Sequence, residues 1–257
     1  WDSPWGRGRP GWHLECSVMS EALLGETFDI HGGGIDLVFP HHQNELAQSA
    51  CAHDGAPLAN YWMHNGHVTV GGEKMSKSLG NFLTVHELLD EFPGEALRLT
   101  LLSAHYHQPL DFTKELVVES RRILDRWYRA AGEAQSDPEL PEDVEVALLD
   151  DMNTPRAIAA MHRLADQAMA GDGVAASSLK AVGQIMGILQ ASPEVWFQGQ
   201  GSNDDLSAET IEELIEHRRR ARADKDFATS DRIREELAAQ GIVLEDGAQG
   251  TTWRRGG

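Results

Sequence analysis

The sequence predicts a chain that is α/β at its start, helical through its middle and mixed α/β at its end. Three observations predict this. Residues 1–60 alternate short apolar runs with glycines. Apolar positions recur at helical spacing from 85 to 189. A polar, turn-rich stretch at 198–205 precedes a last pair of helical segments and a short apolar run. The 257 residues allow one large or two to three small domains, and 41% hydrophobic residues suffice for a core and exclude a mainly disordered chain.

The opening Trp1-Asp2-Ser3-Pro4-Trp5-Gly6 lacks signal-peptide character, and no methionine precedes Met19, so the chain reads as an internal piece. Apolar runs at 14–19 and 27–30 lead into His31-Gly32-Gly33-Gly34-Ile35-Asp36-Leu37-Val38-Phe39, which reads as an apolar stretch, a glycine turn and a helix start. Pro40 is the expected first helical residue of a helix reaching residue 50. Residues 61–82 read as a hairpin followed by a mobile loop, with Val68 and Val70 alternating with polar positions. Gly71-Gly72 and Gly80 bracket the loop. Leu88, Leu89 and Phe92 form one helical stripe and Leu97, Leu101 and Leu102 the next; Ile123, Leu124 and Trp127, then Ile158, Met161 and Leu164, continue the pattern. Turns are expected at Pro93-Gly94, Asp137-Pro138 and Gly171-Asp172-Gly173. Beyond the linker come helices at 207–224 and 228–240, a stop at Gly241 and a short strand, Ile242-Val243-Leu244.

The formal charge of −19 argues against a protein that coats nucleic acid indiscriminately, but leaves room for a local cationic patch. No apolar run approaches the roughly 20 residues of a membrane span. Two cysteines cannot form a disulfide framework, which favours a reducing compartment, the cytoplasm.

Four groups of residues carry chemistry. Lys74-Met75-Ser76-Lys77-Ser78 places two lysines three apart in a loop between glycines. Such a loop suits a triphosphate whose charge needs stabilisation as a bond breaks. The plainer alternative is a solvated turn. His41 and Glu45, four apart, share a helix face, and Cys16 precedes them by one α/β unit. Thiolate, imidazole and carboxylate together suit zinc. The alternative is a buried Cys16 and a surface pair. His42, three from Glu45, reaches the same face, so spacing leaves the choice of histidine open, and Cys51 reads as a small core residue. The Gly32–34 stretch with Asp36 suits close backbone approach to a ligand and acceptance from ribose hydroxyls, although such glycines more often mark only a turn. From 217 to 234 the chain holds seven basic and three acidic residues, which suits a phosphate backbone. The same arginines also fit a solvated face balanced by Glu212, Glu213 and Glu216.

These residues resemble the cysteinyl-tRNA synthetases. Lys74-Met75-Ser76-Lys77-Ser78 matches the second signature of class I aminoacyl-tRNA synthetases. Gly11-Trp12-His13-Leu14-Glu15-Cys16, residues 31–48, Trp62-Met63-His64 and residues 74–81 follow the family's order and spacing. Leu149-Asp150-Asp151-Met152-Asn153-Thr154-Pro155 resembles its helical tRNA-binding part, and 218–237, 241–244 and 250–255 resemble its C-terminal extension. The resemblance implies a Rossmann-like catalytic portion, then an α-helical bundle, then a small mixed α/β C-terminal domain. The expected limits are 1–60 for the second half of the catalytic domain and 61–110 for a stem-contact region with the lysine loop. The helical tRNA-binding bundle spans 111–198, the linker 199–205 and the anticodon-recognising domain 206–257.

The resemblance also assigns roles. Cys16, His41 and Glu45 become zinc ligands, with zinc binding a substrate thiol, and Trp12 lines the cysteine pocket. Lys74 and Lys77 stabilise the phosphates of ATP, bound with Mg2+, while Asp36, Gly33 and Gly34 face its adenosine. Arg218, Arg219, Arg222 and Trp253 are the candidate tRNA contacts; Trp253 equally suits a packed core position. The implied activity is ATP-dependent formation of cysteinyl-adenylate and transfer to tRNA(Cys), by a cytoplasmic monomer with no membrane partner. Departures limit this. The family's fourth zinc ligand and its His-Ile-Gly-His signature have no match, His64-Asn65-Gly66-His67 being a look-alike in the wrong place, so the chain alone is expected to be inactive. Rival readings are a cysteine–amino-sugar ligase of thiol biosynthesis, a non-catalytic RNA-binding fragment and a hydrolytic zinc site.

Overall fold

The computed structural model describes residues 1–75, 80, 82–136, 139–198, 206–247 and 250–255. The chain divides into two units, Trp1–Ser120 with Val146–Ile158, and Arg121–Glu145 with Ala159–Gly257.

The first unit opens with a small antiparallel pair, β1 (Asp2–Ser3) and β2 (Gly6–Arg7), followed by helix α1 (Trp12–Leu24). Strands β3 (Phe28–Gly34) and β4 (Ala59–Asn65) pair in parallel, in register from Phe28↔Ala59 to Gly34↔Asn65. Parallel strands need a crossover, and α2 (Gln43–Ala52) supplies it. Phe28, Leu58 and Ala59 are buried together, with Leu46 of α2 and Trp62 of β4 packed on them.

Two expectations need correction here. Gly32–34 form no turn; they are the end of β3, paired to Met63, His64 and Asn65. Glycine is needed there for space. A Cβ on Gly33 would lie 2.9 Å from Leu37 Cδ1 and 3.0 Å from His42 Cε1, and one on Gly34 would lie 2.5 Å from Asp36 Oδ1. Pro40 does not start a regular helix. It follows a cis peptide, and Phe39 before it is extended (φ −139°, ψ 131°), so an irregular turn, Val38–His42, precedes α2. The residue before a proline avoids the helical region, which accounts for the break.

Residues 61–65 belong to β4, so the hairpin is shorter than expected: β5 (Val68–Val70) and β6 (Glu73–Lys74). Its turn, Gly71-Gly72, takes φ of 63° and 78°, which only glycine adopts freely. Strand β7 (Leu110–Asp111) pairs in parallel with β5, and Asp111 Oδ1 accepts from Thr69 Oγ1 (2.9 Å) and Gly72 N (2.8 Å), closing the turn. Residues 76–79, where the mobile loop was expected, lie outside the described residues. Helix α3 (Val85–Glu91) starts at a Thr84–Glu87 capping box, and α4 (Gly94–Leu102) starts at Pro93 and buries Ala96, Leu97 and Leu99.

Helices α5 (Lys114–Ala131), α6 (Glu142–Leu149), α7 (Thr154–Met169), α8 (Gly173–Met186) and α9 (Pro193–Gln198) follow. In the second unit Trp127, Tyr128, Met161, Leu179, Ile188 and Leu189 are fully buried. The last segment packs α10 (Ala208–Ala223) and α11 (Phe227–Ala239) with the antiparallel pair β8 (Ile242–Gly247) and β9 (Gly250–Arg255). Ser207 and Asp226 cap the two helices, accepting from Thr210 N and Thr229 N. Ile211, Ile215, Ile233, Leu237, Ile242 and Trp253 form its core.

Candidate metal centre

Cys16 lies one helical turn into α1, His41 in the turn before α2, and Glu45 in the first turn of α2. Helix-to-helix packing of α1 on α2, tied by a hydrogen bond from Ser17 Oγ to Gln48 Oε1 (2.8 Å), brings them together. One ligand atom each of Cys16, His41 and Glu45 lies within 4.8 Å of the others. Glu45 is fully buried. Its Oε1 is 2.5 Å from His41 Nε2, and its Oε2 is 2.8 Å from His31 Nε2 on β3. Neither approach is aligned as a hydrogen bond, so both oxygens and His31 Nε2 are buried without a hydrogen-bond partner.

A buried carboxylate flanked by imidazoles, with no aligned hydrogen-bond donor, is costly. Burial pushes the Glu45 carboxyl up, while His31 and His13 oppose that. Burial, then the neighbouring His13, pushes His41 down, which keeps its imidazole neutral and able to ligate. Burial and the Glu45 charge push the Cys16 thiol up, against a weaker effect of a hydrogen bond from Trp12. A divalent cation at this point would remove all three penalties, since it holds a thiolate, a carboxylate and a neutral imidazole. The donor set therefore fits zinc.

Trp12 packs its indole 4.2 Å from the His41 ring, beside this centre. Asp36 sits in the short turn after Gly34. Lys74 ends β6, and Lys77 lies outside the described residues. Cys51, expected in the core, is exposed.

Sequence reasoning left His42 open and missed His31 and His64 as site residues. The His42 ring is buried, and a ring nitrogen of His42 lies within 4.8 Å of ligand atoms of His31 and Glu45. His42 Nδ1 is 2.8 Å from His64 Nε2. Burial and the rings of His31, His64 and His41 push His42 down to about 4. The parallel register sets Trp62 beside His31 and His64 beside Gly33. The available signal was compositional: seven of the twelve histidines fall in residues 13–67.

The expected RNA contacts divide in two. Arg218 is buried, and its guanidinium donates to Asp246 from Nη1 (2.9 Å) and Nη2 (3.0 Å). Trp253 is buried in the last core, and its Nε1 donates to Glu212 Oε1 (2.7 Å). Both side chains are engaged inside the domain, Trp253 in the packed position that the sequence also allowed, because α10 faces the β8–β9 pair with that edge. Arg219 and Arg222 remain exposed, one on Glu216 at 2.8 Å and the other on Asp246 at 3.3 Å.

Comparison with known proteins gives matches along the chain. Residues 1–122 match the family model for the tRNA synthetases class I (C) catalytic domain. Residues 203–254 match the cysteinyl-tRNA ligase anticodon binding domain. A cysteine–tRNA ligase of Rhodospirillum centenum is 57% identical over 263 residues, covering 99% of this chain and 58% of that protein. One of Gluconobacter oxydans is 58% identical over 257 residues, covering 99% and 56%. The chain thus spans somewhat over half the length of these relatives. Over 99% of its length the chain is similar to the cysteinyl-tRNA synthetases, and both matching family models are of that class I family.

Proposed function

We propose that this chain carries the thiol-reading and tRNA-binding parts of a cysteine–tRNA ligase, which forms cysteinyl-adenylate from cysteine and ATP and transfers the cysteinyl group to the 3′ end of tRNA(Cys). The observation that carries the reading is the convergence of Cys16 and His41 on the buried Glu45 carboxylate, whose oxygens have no aligned hydrogen-bond donor. These three would hold zinc. Bound zinc supplies a soft Lewis acid that prefers the thiolate of cysteine to the hydroxyl of serine, so selection needs no second, editing site.

The rest of the reading concerns the chain's own residues. Trp12 lines one side of the thiol site, against the His41 ring. Asp36 accepts from ribose hydroxyls, and Gly33 and Gly34 let the nucleotide approach the end of β3. Lys74 and Lys77 balance charge on the phosphates of ATP, which enters with Mg2+. The substrate carboxylate is itself the nucleophile toward the α-phosphate, so catalysis here is positioning and charge stabilisation. Residues 1–60 would form part of a Rossmann-like fold, 61–110 a stem-contact region, 111–198 a helical bundle and 206–257 the anticodon-recognising domain, with Arg219 and Arg222 turned to phosphates. The match of 203–254 to an anticodon-binding family supports this over an amino-sugar ligase. The protein would act as a cytoplasmic monomer; among the described residues no helix is long and apolar enough to cross a membrane.

Cobalt(II) tests the reading on the chain itself. The cobalt-loaded chain should show a thiolate-to-metal charge-transfer band that Cys16→Ser abolishes. Added cysteine should shift that band, and serine at the same concentration should not. A band that responds alike to both amino acids would end the thiol-selection reading.

A further inference from the structure

The look-alike stretch His64-Asn65-Gly66-His67 has a use of its own in the structure. It is the seat of a strap, residues 105–111, that runs beside it. Gly66 N donates to Tyr106 O (2.7 Å), and Leu110 N donates to His67 O (2.9 Å), where β7 joins β5. A Cβ on Gly66 would collide with Gln108 O, so the strap lies against bare backbone. His107 adds the side-chain contacts. Its Nδ1 donates to the backbone carbonyl of His64 at 2.6 Å. Its Nε2 lies 3.2 Å from Asp151 Oδ2, in the turn between α6 and α7. All these residues belong to the first unit.

Both ring nitrogens of His107 therefore face oxygens that only accept. A neutral imidazole carries one N–H. With that proton on Nδ1 for His64 O, a neutral ring sets a lone pair beside the carboxylate. Only the imidazolium supplies a proton on each side and a positive charge to Asp151. The neighbours leave that place to His107. His105 stacks 5.5 Å away, its Nδ1 accepts from His107 N (3.3 Å), and its Nε2 stays 4.0 Å from Asp151 Oδ2. Tyr106 packs its ring 4.1 Å from that of His107 and donates its hydroxyl to the other oxygen, Asp151 Oδ1 (2.7 Å). In the same turn Asp150 pairs with Arg156 at 3.7 Å.

We propose that His107 is a positioning residue. As an imidazolium it clasps the end of β4 to the α6–α7 turn, and by holding the His64 backbone it sets the His64 ring that meets His42 Nδ1 at 2.8 Å. The clasp is complete while the ring keeps its second proton and loses its charged half when that proton leaves. With 38% of the His107 side chain and 57% of the Asp151 side chain exposed, salt weakens the charged half. The inference goes beyond the reading above and needs no metal at Cys16.

NMR of the isotopically labelled full chain at about pH 6 tests it. His107→Arg keeps a positive charge with donors on both sides, whereas His107→Gln keeps a donor without the charge. The His42 ring signals, and the Asn65 amide that follows the His64 carbonyl, should stay in place in His107→Arg and shift in His107→Gln. Raising the pH of the unaltered chain should move the Asn65 amide in step with the His107 ring signals, and His107→Arg should abolish that movement. Circular dichroism confirms that each variant is folded. Shifts in His107→Arg as large as those in His107→Gln, no shift in either, or a pH movement that persists in His107→Arg would overturn the proposal. Should either variant unfold, Asp151→Asn removes the charge from the other side and should reduce the pH movement of Asn65; an unchanged movement there overturns the proposal equally.

Discussion

Arg218 and Arg219 are neighbours with opposite fates. Arg218 is 5% exposed and makes two charge-assisted bonds to Asp246, and Asp246 also accepts from Thr251 Oγ1 (2.6 Å). Removing Arg218 leaves that carboxylate with one partner fewer and opens space beneath α10. Because Asp246 is about half exposed, water restores part of its solvation, so Arg218→Ala should cost about 1–3 kcal/mol. Arg219 pairs with Glu216 across one helical turn in open solvent. Arg219→Ala should therefore stay within about 0.5 kcal/mol. Urea denaturation followed by circular dichroism compares the two. Equal losses would mean that burial is not what separates them.

Strand β3 and the β5–β6 hairpin use glycine for different reasons. Gly33 has an ordinary backbone but no room for a side chain, with Leu37 and His42 in the way. Gly33→Ala must push one of them aside, and the His42 ring is held by His64, so a cost of about 1–3 kcal/mol is expected. Gly71 has open space around it but φ of 63°. Gly71→Ala should cost about 1–2 kcal/mol through backbone strain alone. The two separate by their repair. Leu37→Ala should recover part of the Gly33→Ala loss in thermal melts, whereas no neighbouring truncation should help Gly71→Ala. Additive losses for Gly33→Ala and Leu37→Ala would refute the crowding argument.

A chain with a formal charge of −19 is rich in acids, yet its acids are not equivalent toward pH. Hydrogen bonds from Arg218 and then Thr251 hold the Asp246 carboxyl well below the usual carboxylate range. The folded chain then releases that proton more readily than the unfolded chain does. The stabilisation is full above about pH 4 and is lost as pH falls below it. Urea midpoints should therefore fall between about pH 5 and pH 3, and Asp246→Asn should flatten that slope while lowering the midpoint at neutral pH. An unchanged slope in the variant would place the acid sensitivity elsewhere. Glu216, held low by Arg219 and Arg220, acts in the same direction but is reached by solvent, so added salt should weaken its share.

Much of the architecture was legible because it depends on near neighbours along the chain. Helical spacing located α3, α4, α5 and α7, the turn-rich linker marked where α10 and α11 follow, and the four-residue interval put His41 and Glu45 on one face. Cys16 was legible only through the family's motif, since no local period links it to α2. Which strand lies beside β3, and in what register, depends on contacts about thirty residues apart along the chain. That pairing brings His31 to Glu45 and His64 to His42, and neither was visible in spacing. The same holds for Arg218 and Trp253. Composition makes an arginine row and a terminal tryptophan look like surface, but the β8–β9 pair folds onto α10 and turns one charge and one indole inward. Local periodicity is written in adjacent residues; burial and pairing arise only when distant segments pack, because the free energy of removing surface from water belongs to the contact and to neither partner alone.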